Sequence, residues 1–320
     1  MKRQLQKKER LQRIKPMLAE LVKEPFDDKD WVFEVKFDGY RALSKLNGKG
    51  SVDLYSRNFI SFNDRFTSLA KELTKIRHQV LLDGEVVIED KKGNSSFQLL
   101  QNYQKTGQGT LKYYVFDLLH LDGNSTRGLP LKDRKELLKL LLRKSKLKNI
   151  FYSVHRDKHG RRFFTFAKKK KLEGIIAKNK SSLYHAGKRT GDWKKIKITY
   201  EQEAIICGIT GPQGARKYFG SLILGAYHKG KLQYIGNAGT GFSETALEDL
   251  HKKFKARFST ISPFHEIVKA KGKIQWLKPY FVCEIKFTEW TTDNHMRHPV
   301  YLGLREDKKA NEVVREIPKG

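Results

Sequence analysis

Phe33, Val35 and Phe37 alternate with Glu34, Lys36 and Asp38, the period of a strand with one buried face. Carried through Asp38, that strand points the Lys36 amine and both carboxylates away from the core. Asp38-Gly39 then reads as a hairpin-type turn with 40–46 returning as its partner, and 47–50 (Asn-Gly-Lys-Gly) as a second turn leading to 52–58. Asn63 is placed to cap a helix on which Phe66, Leu69, Ala70, Leu73 and Ile76 recur at helical spacing. Residues 80–88 and 113–119 read as largely buried strands, the first interrupted at Asp83-Gly84 by a turn or bulge. Asp133 opens a helix, with Glu136 placed as in a capping box and Leu137, Leu138, Leu141 and Leu142 as its stripe. A further helix over 163–172 stops near Gly174, and 175–178 is the next strand. The lysine run 168–171 reads as a solvated face that can also lie along phosphate.

Near residues 198–200 the texture changes to short strands and glycines. Residues 204–210, 221–227, 231–236 and 281–287 are strand candidates, 228–230 joins two of them as a hairpin, and Ser243 caps a helix carrying Leu247, Leu250 and Phe254. Short strands with one helix in this space predict a small barrel of the OB type. The expected organisation is α+β: a basic lead-in over 1–15, a first domain over 16–199 and an OB-fold domain over 200–320.

Composition narrows the partners. The chain of 320 residues carries 65 basic and 35 acidic side chains, a formal net charge of +30. Such an excess fits a polyanion: nucleic acid first, an anionic membrane surface second. Membrane binding is disfavoured, because no apolar run approaches ~20 residues and no lipidation motif closes the chain. The basic start is followed by no apolar h-region, so it is not a secretory signal. Cys207 and Cys283 have neither metal-ligand spacing nor a disulfide framework, which points to a reducing, cytoplasmic setting.

The motifs carry more. Lys36-Phe37-Asp38-Gly39-Tyr40-Arg41 resembles the K-x-D-G-x-R motif of the covalent nucleotidyltransferases: DNA ligases, RNA ligases and capping enzymes. Ser56-Arg57-Asn58, Leu82-Asp83-Gly84-Glu85, Tyr114-Val115-Phe116-Asp117, Glu173-Gly174-Ile175-Ile176-Ala177-Lys178 and Trp193-Lys194-Lys195-Ile196-Lys197 resemble the motifs that follow, in the family's order. The segment 297–308, ending Arg305-Glu306-Asp307-Lys308, resembles its closing R-x-D-K motif. Six positions alone are only moderately specific; seven matches in order over 34–308 are strong. The closing segment and 236–242 are most similar to the ligase module of bacterial LigD end-joining proteins, with one departure: Asn237 stands where that subgroup usually has a basic residue.

The resemblance implies a nucleotidyltransferase domain of ATP-grasp-like antiparallel sheets with helices, followed by the OB fold. It also implies an ATP-dependent DNA ligase working through a lysyl-AMP intermediate. Lys36 is the implied nucleophile, with a free amine pKa near ~10.4 that nearby cations (Arg41, Lys195, Lys197, a divalent metal) would lower. Glu34 is implied to face the adenine, Arg41 and Arg57 the ribose and phosphates, and Phe116 to stack on the base; from the residues alone Phe116 reads equally as a core aromatic. Glu85 is implied at the ribose or a metal. Asp38 and Glu173 are the implied ligands of Mg²⁺ or Mn²⁺, hard ions that prefer carboxylate oxygens. Lys195 and Lys197, two apart on a strand, project to one face and can neutralise the α-phosphate together, whereas Lys194 points elsewhere. Arg305, Asp307 and Lys308 belong to the second domain and reach the pyrophosphate side only if the domains close.

His295 and His298 read as ordinary loop residues. The implied partner is double-stranded DNA with nicks or ends, with a Ku-like end-binding protein as a further one; the expected state is a monomer in the bacterial cytoplasm or nucleoid. The rival readings are an RNA ligase, a capping-type enzyme, and a basic DNA-binding scaffold with a dead fold. Against the last, Lys36, Glu173, Lys195 and Lys197 are all present.

Overall fold

The alternation around Lys36 produces the expected strand, but that strand ends at the lysine itself. In the computed structural model, which describes residues 9–212, 216–268, 270 and 272–317, the chain divides between Ile198 and Thr199 into two compact units. In the first unit the order begins β1 (Leu18–Leu21), β2 (Asp28–Lys36), β3 (Tyr40–Asn47), β4 (Val52–Ser56), α1 (Thr67–Leu73), β5 (Gln79–Glu89) and α2 (Phe97–Thr106). It continues with β6 (Thr110–Leu121), β7 (Asn124–Ser125), α3 (Leu131–Ser145), β8 (Ile150–Tyr152), β9 (His155–Lys158), α4 (Gly160–Lys169), β10 (Gly174–Asn179) and β11 (Arg189–Lys197).

Two sheets result. One runs β1-β11-β10-β2-β9; the other runs β4-β3-β5-β6-β7, with β8 beside β6. In the first sheet Phe33, Ile175, Ala177 and Ile196 share a face and bury against Ala167, Phe163 and Phe164 of α4. The opposite face turns toward the second sheet, where Leu43, Tyr55, Leu81, Phe116 and Leu119 pack with Trp193, Tyr184 and Met17. Both faces of the Lys36 sheet are therefore covered, and Glu34 is buried rather than directed to solvent.

Asp38-Gly39 is not a hairpin. β2 and β3 belong to different sheets, β3 pairing with β4 and β5, and the two residues form the corner between them. Glycine is needed there for close approach: a Cβ on Gly39 would stand 2.3 Å from the Val86 carbonyl oxygen. Phe37 leaves the strand alternation and stacks on Tyr114 of the other sheet, with centroids 4.2 Å apart. Asp83-Gly84 is a bulge inside a continuous β5, where the register with β6 shifts.

Two helix starts also differ from the expected caps. Asn63 does not cap α1; its amide oxygen accepts from Leu54 N–H (2.8 Å) and its amide nitrogen donates to the Val52 carbonyl (2.8 Å), pinning β4. α3 begins at Leu131 without a capping box, because its first amides donate to the carbonyls of Ser182 and Lys180, both at 3.0 Å.

The second unit holds β12 (Tyr200–Thr210), β13 (Leu222–His228), β14 (Lys231–Ala238), α5 (Glu244–Phe254), β15 (Phe258–Ser259) and β16 (Ile274–Leu277). It ends with β17 (Val282–Phe287), β18 (Glu289–Trp290), β19 (Met296–Arg297) and β20 (Val300–Leu304). The long β12 pairs with β13 along one edge and, along the other, with β17 over its first half and β16 over its last residues. β20 lies beside β17, and a bridge from Thr240 to Val300 joins the two ends of the sheet, giving the OB-type barrel. α5 lays Leu247, Leu250 and Phe254 on the barrel core, and Ser243 Oγ caps it by accepting from Ala246 N–H at 3.2 Å. β15, β16 and β20 are additional to the strands that the pattern predicts.

Candidate active site

The register of three strands lays out the site. Opposed residues of an antiparallel pair project to the same face, so Lys36, Gly174 and Lys197 form one row. Glu34, Ile176 and Lys195 form the next, and Val32, Lys178 and Trp193 the innermost. Lys194 falls on the other face, its ammonium 4.7 Å from the Trp31 ring centre and 5.0 Å from that of Phe26. The face toward the second sheet is thus a strip that carries the Lys36 amine at one end and a buried ion cluster further in.

At the outer end, Lys36 Nζ donates to Glu173 Oε1. Asp38 lies just beyond the strand; its backbone N–H donates to Ser95 Oγ (3.2 Å) and its Oδ2 accepts from Phe97 N–H (3.0 Å) at the start of α2. Carboxylate oxygens of Asp38 and Glu173 lie within 4.8 Å of one another. Two carboxylates at this separation are the donor set that a hard divalent cation takes.

Further in, Glu34 is held by three donors. Lys135 Nζ from α3 reaches Oε1 at 2.6 Å, while Lys178 Nζ (3.0 Å) and Ser153 Oγ (3.1 Å) reach Oε2. Burial works to raise the Glu34 pKa, but the two ammonium groups outweigh it and hold the carboxyl at about 2. Burial also brings Lys178 down to about 8, since Glu34 only partly offsets it and Lys135 adds to it. Lys178 rests between two rings, 4.1 Å from the centre of Phe116 and 4.2 Å from that of Trp193. The buried indole N–H of Trp193 has no hydrogen-bond partner among the described residues.

From the second sheet, Arg41 of β3 lies over Phe116 at 4.6 Å and grips Asp83 with two hydrogen bonds of 2.6 and 2.7 Å. Burial disfavours that guanidinium, yet Asp83 raises its pKa above the usual arginine value. Tyr184 Oη donates to the same carboxylate at 2.6 Å. Phe116 is thus both a core aromatic and a ring flanked by cations, and a base stacking on it competes with Arg41 and Lys178 for its faces. Glu85 lies directly across from Arg41 in the β3–β5 ladder, half-buried. Arg57 lies in the turn after β4, where Ser56 Oγ accepts from the amides of Asn58 (3.3 Å) and Ile60 (3.1 Å).

In the second unit the closing-motif residues are held together by acids. Arg305 makes two bonds of 2.9 Å to Asp307 and one of 3.1 Å to Glu284, and Lys308 pairs with Glu203.

The first unit therefore brings together Lys36, Glu173, Asp38, Glu34, Lys195 and Lys197 on and beside one strip, with Arg41, Glu85 and Phe116 on the other sheet. Motif reading assigned no role to Lys135, Ser153, Lys178 or Asp83. Lys178 had a signal, since it stands two residues from Ile176 and so on the same face of one strand. Lys135 had one too: it interrupts the apolar series Leu131, Leu138, Leu142 at a position where the helix faces inward.

A lysine on a strip between two mainly antiparallel sheets, with an OB-type barrel following, defines a nucleotidyltransferase with an appended OB fold. Comparison with known proteins narrows the class. The model of the ATP dependent DNA ligase domain matches residues 16–197, and that of the ATP dependent DNA ligase C terminal region matches 215–308. The chain belongs to the ATP-dependent DNA ligases. It is similar to the multifunctional non-homologous end joining protein LigD of Pseudomonas aeruginosa, at 35% identity over 96% of this chain and 37% of that protein. It is also similar to the SPbeta prophage-derived DNA ligase-like protein LigB of Bacillus subtilis, at 35% identity over 91% of this chain and 99% of that one. Among solved structures, a mycobacterial DNA ligase D complexed with ATP and MES superposes with a TM-score of 0.68 at 34% identity, covering 95% of this chain and 98% of the other. The chain thus spans little more than a third of the LigD proteins it matches. None of the helices among the described residues is long and apolar enough to cross a membrane.

Proposed function

We propose that this ligase seals 5′-phosphate/3′-hydroxyl nicks or breaks in double-stranded DNA through a lysyl-AMP formed on Lys36. The observation that carries this reading is the strip itself: a reactive amine paired with Glu173 at one end and a buried, ionised Glu34 two residues further in along the same strand.

Lys36 gives up a proton, and its nitrogen attacks the α-phosphorus of ATP. The N–P bond forms as the bond to the bridging oxygen breaks, and pyrophosphate leaves with that electron pair. The AMP passes to a DNA 5′-phosphate, and a 3′-hydroxyl displaces it. Charge on phosphoryl oxygens changes in each step, so cations held in place contribute most. Lys195 and Lys197 share the face of Lys36 and are assigned to the α-phosphate, and Arg57 to the ribose and phosphates with Arg41. Glu85 is assigned to the ribose or a metal, Phe116 to the base plane and Glu34 to the adenine edge. Arg305, Asp307 and Lys308 are assigned to the pyrophosphate side. Asp38 and Glu173 would hold Mg²⁺ or Mn²⁺, which when bound draws charge from the phosphoryl oxygens.

The adenylation domain is assigned to 16–199 and the OB-fold domain to 200–320. Similarity to LigD supports a role in end joining alongside a Ku-like end-binding protein, with the chain acting as a monomer in the bacterial cytoplasm or nucleoid.

The test is incubation of chemically de-adenylated protein with α-labelled ATP and Mg²⁺ or Mn²⁺, followed by denaturing electrophoresis. Label is expected on the wild type and absent from Lys36→Ala. A folded, metal-replete wild type that stays unlabelled overturns the reading.

A further inference from the structure

Glu34 is fixed more firmly than a strand residue needs to be. Its carboxylate accepts from α3, from β10 and from the loop after β8, and the two oxygens are treated unequally: Oε2 accepts from Lys178 and Ser153, whereas Oε1 accepts from Lys135 alone among the described residues. A carboxylate oxygen offers about two acceptor positions, so Oε1 keeps one for an incoming donor. An ionised carboxylate can only accept. It welcomes the exocyclic amine of adenine and opposes the 6-oxo group of guanine, while a protonated or rotated carboxyl loses that distinction.

Lys135 is not required to anchor α3. The preceding residue does that, since Arg134 makes two 2.8 Å bonds to Asp117 and donates to the carbonyls of Leu129 (2.7 Å) and Ser182 (2.9 Å). An ammonium at an inward position of an amphipathic helix, where leucine would pack, carries a desolvation cost. Its Nζ meets Glu34 at 2.6 Å and lies 4.8 Å from the Tyr152 ring centre. Lys178 cannot replace it, because Lys178 binds the other oxygen and rests on Phe116 and Trp193.

We propose that Lys135 is a positioning residue for nucleotide choice: it holds Glu34 Oε1 ionised and aimed, so that the ligase selects adenine over guanine. This rests on the reading that Glu34 faces the adenine. Lys135 touches neither the base nor the reacting phosphorus; it acts through Glu34.

The experiment measures label transfer from α-labelled ATP and, separately, GTP to the full de-adenylated chain over a range of concentrations, so that KM and the rate at saturation are read apart. Losing one charge-assisted hydrogen bond corresponds to about tenfold or more. Lys135→Met is therefore expected to raise KM for ATP about tenfold and to lower the ATP-over-GTP preference by a similar factor, with the saturated rate changed less than about threefold. Lys135→Arg restores most of the preference, and adding Lys135→Met to Glu34→Gln lowers it no further. Where Lys135→Met fails to fold, the Glu34→Gln/Lys135→Met double variant, which leaves no unpaired carboxylate, carries the comparison with Glu34→Gln. A folded Lys135→Met with unchanged preference, equal losses for both nucleotides, or a further loss in the Glu34→Gln background overturns the proposal. Wild type taking label from neither nucleotide is a different result, and removes the ligase mechanism itself.

Discussion

Lys194, Lys195 and Lys197 are chemically alike and close in sequence, yet the strand puts them on different faces. Lys195 and Lys197 share the face of Lys36, while Lys194 covers Trp31 and Phe26 on the other. Removing a cation aimed at developing phosphoryl charge costs about 10²- to 10³-fold in rate, whereas removing one from the far face costs packing. Lys195→Ala and Lys197→Ala are expected to lower label transfer by about two orders of magnitude or more. Lys194→Ala should stay within about threefold, its loss appearing as slightly lower thermal stability. Comparable rates for all three variants would contradict the assignment. That division was legible from strand alternation. The surroundings of Glu34 were not, because period two says which residues share a face but not whether another layer covers it.

Helix α3 shows how an element is tied in by buried charge. Arg134 and Asp117 are both fully buried and form a bidentate pair. Breaking such a pair from one side strands the remaining charge, at about 3–5 kcal/mol. Arg134→Met should cost about that much in denaturant unfolding, and the Arg134→Met/Asp117→Leu double variant should recover most of it. A single variant no less stable than the double would count against the pair as the anchor of α3. The existence of this helix and its leucine stripe could be read from spacing. Its start could not, since the amides that a capping box would satisfy find carbonyls at Lys180 and Ser182, more than forty positions away. The same holds at Gly39: a short Asp-Gly reads as a hairpin turn, and only the approach of Val86 makes it a corner between sheets.

Across the whole molecule the dominant quantity is the net charge of +30. A duplex is bound through its phosphates, and counterion release makes that binding fall steeply with salt. With six or more phosphate contacts, affinity for nicked duplex should drop about 10³-fold between 50 and 200 mM salt, with little dependence on sequence. Affinity that is flat over this range would exclude the basic surface as the main contact. Composition alone supports this expectation, because long-range attraction depends on total charge more than on the detail of any contact.

The order of the motifs, the faces of the strands and the basic surplus belong to the sequence, since each is set by local period or by a sum over residues. Which sheet each strand joins, and what surrounds each polar group, belong to the tertiary structure. Glu34 meets Lys135 and Lys178 at separations of 101 and 144 residues, and Lys36 meets Glu173 at 137. Contacts of that span come from packing two sheets and a helix together, so a candidate nucleophile could be named from its motif while the charges that surround it could not.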